Sequence, residues 1–115
     1  MQPIQLDLVT LPASKEGMRV TRLNGRLSLE TVHNFIQAMR PEPSGHLVLD
    51  MSGVSFLDSA GVGALVSIFV SRRNIGKSLA LVGLTQQGRA VLEVAGLTKL
   101  LPTFPTVEAA LEAKS

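Results

Sequence analysis

The chain has no cysteine, no tryptophan and no tyrosine, and only four phenylalanines among its 115 residues. Without cysteine, disulfides and thiolate metal sites are excluded, and the composition suits a reducing cytoplasm. With so few aromatic rings, a surface that stacks nucleic-acid bases would be hard to build. Charge of one sign is also scarce. Eleven basic residues face nine acidic ones, a net of +2 spread along the chain, which gives no basic footprint for direct nucleic-acid binding. Long apolar runs are missing too. The longest, Ala60 to Val70, is broken by Ser67 and falls short of the ~20 residues that cross a bilayer, so membrane insertion is not expected. Met1 to Leu8 alternate polar and apolar and carry no basic start, unlike a secretion signal.

What remains is enough for a core. Hydrophobic residues make up 45% of a length suited to one compact unit. Ile4, Leu6 and Leu8 alternate as in a half-buried strand, and Pro12 to Gly17 read as a turn. Met18 to Leu23 return as a second strand closed by Gly25. Ser28 is expected to cap a helix that carries Glu30 in its first turn and Leu29, Val32, Ile36 and Met39 on its inner face, until Pro41 and Pro43 stop it. His46 to Met51 form a buried strand that Ser52-Gly53 should break. Val62, Leu65, Val66, Phe69 and Val70 recur at helical spacing after Asp58-Ser59. Arg72 and Arg73 favour the helix end, and Asn74 and Gly76 terminate it. Ser78 to Val82 complete a βαβ unit, so two parallel neighbouring strands are expected. Thr85 caps a third helix with Val91, Leu92 and Ala95 inward and Gly96 at its end. Leu100-Leu101 read as a short last strand, put at an edge by Pro102. Thr106 caps a last helix through Val107, Ala110 and Leu111. The fold class is therefore α/β, a mixed sheet of four or five strands with about four helices.

Chemistry is sparse. A serine nucleophile at Ser59 would want glycine two residues before it, where Leu57 stands, and a base, for which only His33 and His46 exist. Gly76-Lys77-Ser78 resembles the tail of a phosphate loop, but Ser71 stands where its first glycine belongs, and the segment ends a helix rather than opening one. Gly61-Val62-Gly63 begins a dinucleotide fingerprint that Val66 fails to complete; Gly61 and Gly63 are read instead as allowing close packing. The histidines lack metal-ligand spacing. Asp50 and Asp58, both near the carboxyl ends of strands, could act as paired carboxylates, but nothing supports them in that role, and solvated or capping carboxylates are the simpler reading. No catalytic residue, metal or cofactor is therefore assigned. Asp58 or Ser59 reads as an N-cap, and a phosphate on Ser59 would meet the free amides and positive dipole of a helix start.

Val48-Leu49-Asp50-Met51-Ser52-Gly53-Val54-Ser55-Phe56-Leu57-Asp58-Ser59-Ala60-Gly61-Val62-Gly63 resembles the signature of the STAS domain, in the branch of bacterial anti-sigma factor antagonists. The resemblance extends through Leu92-Glu93-Val94-Ala95-Gly96-Leu97 to Glu108-Ala109-Ala110-Leu111. It implies a single STAS domain over residues 1–115, in a cytoplasmic regulator that is not an enzyme. It implies phosphorylation of Ser59 by an anti-sigma factor that is a GHKL-type serine kinase, reversal by a PP2C-type phosphatase, and binding of the unmodified form to the anti-sigma factor. By the same motif Asp58, Ser59, Ala60 and Gly61 would meet the partner. Arg26 and Ser28 stand where the family often has acidic residues on its partner-facing side. The alternative within the family is an accessory subunit of a lipid ABC-type membrane transporter, bound from the cytoplasmic side.

Overall fold

The computed structural model describes residues 5–11 and 16–113. Five strands stand in the order β1-β2-β3-β4-β5: Leu6–Leu11, Met18–Leu27, His46–Leu57, Ser78–Val82 and Thr103–Phe104. β1 is antiparallel to β2, and every other pair is parallel. Four helices, α1 (Val32–Met39), α2 (Ser59–Asn74), α3 (Gln86–Val94) and α4 (Val107–Glu112), connect or follow them. This is the α/β class expected, with five strands and four helices. Ile4 and residues 12–15 of the expected hairpin turn lie outside the described residues.

Alternation along the central strands divides the core in two. Leu47, Leu49 and Met51 of β3, with Leu79 and Leu81 of β4, join Phe35, Leu65, Ile68 and Leu92 in the larger cluster under α1, α2 and α3. Val48, Ala80 and Val82 face the other way and pack with Val20 against Ala110 and Leu111 of α4. β3 and β4 are buried on both faces because they carry apolar residues at successive positions.

The structure corrects several expected boundaries. Gly25 does not close β2, which continues to Leu27; Gly25 sits within the strand at φ 120°, with Gln5 so close that a Cβ would strike its carbonyl. Ser52-Gly53 does not break β3. The register moves from Arg22↔Asp50 to Asn24↔Gly53, so an extra β3 residue is taken up as a bulge. A Cβ on Gly53 would meet the Asn24 side chain and the Leu23 carbonyl, which explains glycine at that point. Leu100-Leu101 are not a strand: they form a turn after α3, from which Leu101 is buried, and the edge strand starts at Thr103. Its shortness follows from Pro102, which has no N–H for a ladder. Ser28 does not cap α1. The helix begins three residues after Leu29, Ser28 is fully buried, and its Oγ donates to Glu30 Oε1 at 2.7 Å. Leu29 is consequently not on an inner helix face but 70% exposed in the preceding turn. Ala95 is exposed rather than inward, lying just past the end of α3.

Asp50 is not at the end of its strand, since β3 runs seven residues beyond it. It is buried, accepts from the Ser52 amide at 3.0 Å and pairs with Arg22 at 3.2 Å. Burial alone would raise its pKa, but the hydrogen bonds from Ser52 and the charge and hydrogen bond of Arg22 together hold it below the usual 3.8. A depressed carboxylate stabilises the fold above its unfolded pKa, and that contribution is lost as pH falls through the folded value. Unfolding free energy from urea titrations should therefore drop between about pH 5 and pH 2 more steeply for the wild type than for Asp50→Asn. Equal slopes would remove this role for Asp50.

Candidate functional site

The carboxyl end of β3 leads into α2 through Asp58. Asp58 takes extended geometry, and its Oδ1 accepts from the Gly61 amide at 2.8 Å, so it is the N-cap of α2. Its other oxygen, Oδ2, accepts from the Leu29 amide at 3.1 Å. One carboxylate thus caps α2 and holds the β2–α1 turn beside it. The side-chain cap comes from Asp58 and not from Ser59. Ser59 is the first residue of α2, is exposed, and makes no side-chain hydrogen bond among the described residues. Among the described residues it is joined to neither His33 nor His46, and His46 stands at the opposite end of β3, so neither histidine serves Ser59 as a general base.

The remaining expected contacts separate. Ala60 is partly exposed next to Ser59. Gly61 is buried: a Cβ there would collide with the Leu27 carbonyl and come within 2.8 Å of Leu57 Cδ1. Gly61 serves the packing of α2 on the end of β2, not an outer surface. Gly63, expected to allow close packing as well, faces open space. Arg26 is partly exposed, with its guanidinium 4.6 Å from the centroid of Phe56. Ser28 is sealed inside, so its side chain cannot be touched from this surface; Leu29, one residue on, takes the exposed position.

An apolar groove of about 740 Å³ runs between α2 and α3. Val62 and Val66 form one side, Val91, Val94 and Leu97 the other, and Ser59 lines it where α2 begins. Val94 is 90% exposed. An apolar side chain so far out, above an apolar groove, marks an interaction surface better than a scattered exposed residue does. The sequence shows Val94 only as one apolar residue in a helix; its outward direction depends on how α3 is set against β3. Gln87 does that setting. Its Oε1 accepts from the Leu57 amide at 3.0 Å, and its Nε2 donates to the Leu57 carbonyl at 2.7 Å.

Residues 12–110 match the family model of the STAS domain. The chain belongs to the STAS family. It is 24% identical over 92 residues to an anti-sigma F factor antagonist of Paenibacillus polymyxa, covering 76% of this chain and 79% of that one. The crystal structure of an anti-sigma factor antagonist from Mycobacterium paratuberculosis superposes with TM-score 0.82 at 25% identity, over 97% of this chain and 96% of that chain. The Bacillus cell fate determinant SpoIIAA in its phosphorylated form shares the fold, with TM-score 0.68 at 19% identity over 95% and 100% of the two chains. Among the described residues of this STAS chain, no group of three or more His, Asp or Glu could hold a metal, and no helix is long and apolar enough to cross a membrane.

Proposed function

We propose that this STAS protein is an anti-sigma factor antagonist, a cytoplasmic binding protein rather than an enzyme, switched by phosphorylation of Ser59. The observation that carries the reading is the division of labour at the start of α2. Asp58 does the capping, which leaves the adjacent Ser59 hydroxyl exposed and structurally unemployed. A kinase can reach it, and a phosphate there would face the free amides and positive end of α2, so modification need not unfold the protein.

The partner in this reading is an anti-sigma factor of the GHKL serine-kinase class, which supplies the ATP; a PP2C-type phosphatase restores the hydroxyl. Unmodified, the antagonist docks an apolar element of the kinase across Leu29, Ser59, Ala60 and the Val94 groove, with Arg26 at the margin. The names of the relatives support an anti-sigma factor as the partner, and the exposure of Leu29, held to Asp58 beside Ser59, and of Val94, on the groove that Ser59 lines, supports the surface. Incubation with the anti-sigma kinase and ATP, followed by mass-spectrometric mapping, should place phosphate on Ser59 and on no other residue. Phosphate elsewhere, none at all, or co-purification with transporter subunits in place of the kinase would overturn the assignment.

A further inference from the structure

At the other end of the sheet, β5 leaves half of β4 uncovered. It pairs only with Leu81 and Val82. The Ser78 amide bonds to the Gly45 carbonyl on the β3 side, and the Leu81 amide to the Pro102 carbonyl on the β5 side. Strand alternation therefore turns the amide of Leu79 to the β5 side, where no strand residue stands opposite it. A cavity of about 440 Å³ lies along this open edge, between the last turn of α2 and α4. That volume lies within the ~300–1,000 Å³ of small-molecule sites.

The lining has two parts. Phe69, Ala80, Phe104 and Ala110 make an apolar wall, while Arg73 and Lys77 stand at the α2 end. Among the described residues, no acidic side chain lines the cavity. Among the described residues, neither Arg73 nor Lys77 has an ion-pair or hydrogen-bond partner for its side chain. Arg72 beside them is different: it is buried and donates to the carbonyls of Ser78, Glu42 and Ser44, so it has a structural task. His46 Nδ1 and Ser78 Oγ lie 2.6 Å apart and are engaged with each other. Two cations and the Leu79 amide, turned to the open edge of β4, thus border the same apolar cavity. Water would satisfy the amide and the cations but would leave the two phenylalanine rings poorly covered.

We infer that this cavity binds a small amphipathic anion, a short acyl or aryl chain ending in a carboxylate or phosphate. The tail lies against Phe69 and Phe104, and the head sits between Arg73 and Lys77 with the Leu79 amide in reach. β3 spans twelve residues, roughly 35 Å, from His46 beside this cavity to the end that leads into Ser59. A ligand here leaves Ser59 and the α2–α3 groove uncovered, so the inference stands apart from the phosphoswitch.

The test is a titration of the full chain with octanoate and octyl phosphate, with octanol and octylamine as controls, followed through backbone amide shifts. Saturable shifts are expected at Leu79, Ala80, Phe104 and Ala110, caused by the anions and not by the controls. The stronger of the two anions identifies the head group. Arg73→Glu combined with Lys77→Glu should weaken binding about tenfold or more. Arg73 is exposed, Lys77 is half-buried and neither belongs to a core cluster, so the spectrum elsewhere should be unchanged. Ala113→Phe, at the exposed rim, should obstruct the tail without touching the core, and Ser59→Asp should bind the anion as the wild type does. No saturable shift, equal binding of octanol or octylamine, undiminished binding by the double variant, or shifts gathered on Val66, Val91 and Leu97 would overturn the site.

Discussion

Phosphorylated Ser59, or Ser59→Asp as its mimic, is expected to bind the anti-sigma kinase up to a thousandfold more weakly than the unmodified protein, with no loss of folding. The docking surface proposed around Ser59 is largely apolar, and the residue next to Ser59, Asp58, carries a carboxylate already engaged by two amides. A dianion brought under a docked partner there must be desolvated beside a like charge. A penalty of about 4 kcal/mol corresponds to the thousandfold loss. Aspartate carries less charge than phosphate and should fall between the hydroxyl and the phosphoserine. Ser59→Ala removes no hydrogen bond within the described residues and should bind at wild-type strength while refusing the phosphate. Calorimetry against the kinase, with thermal unfolding of each variant alongside, separates lost binding from lost structure. Unweakened binding by the phosphoserine form would end the switch model.

The second large effect concerns a residue that the sequence motif presents as part of the same surface. Gly61→Ala should cost about 3 kcal/mol of stability and lower the melting temperature by about 12 °C. The added methyl would collide with the Leu27 carbonyl, which is backbone and cannot swing away, as well as with Leu57. Relief requires α2 to lift from the end of β2, and Leu27 also receives the Asp58 amide there. Gly63→Ala, two residues along the same helix, meets nothing and should be neutral or stabilising by up to about 1 kcal/mol, because alanine favours the helix. Any loss of kinase binding in Gly61→Ala would then come through displacement of α2. If Gly61→Ala melts with the wild type, the packing role is wrong.

The local parts of this architecture were legible in the sequence. Ser78 to Val82 as a buried strand, Thr85 and Thr106 as caps, a cap at Asp58 or Ser59 that the structure gives to Asp58, and the parallel β3–β4 pair all follow from patterns within a few residues. What could not be read was set by distant neighbours. Ser52-Gly53 looks like a terminator until Asn24 and Leu23 are seen to require glycine opposite them. Leu100-Leu101 has the composition of a strand, but only Leu101 is buried, from a turn, and the ladder forms two residues later. At the site, the motif points to Asp58 and Ser59 but cannot separate Gly61, which packs, from Ala60, which is partly exposed. Leu29 and Val94 were hidden for a similar reason. Each is an ordinary apolar residue whose outward direction comes from a long-range bond, the Asp58 carboxylate to Leu29 or Gln87 to Leu57.

The Gln87 contact has a further consequence. β4 stops opposite Asp50, so β3 continues from Met51 to Leu57 with a strand on only one side. An unguarded edge of that kind is a template for adding a strand from another molecule. At Leu57 the Gln87 side chain occupies both backbone positions, as a neighbouring strand would. The edge next to Ser59 is thereby closed to ladder growth while the apolar groove beside it stays open. Self-aggregation and partner recognition are kept apart within a few residues, and one amide side chain draws the line between them.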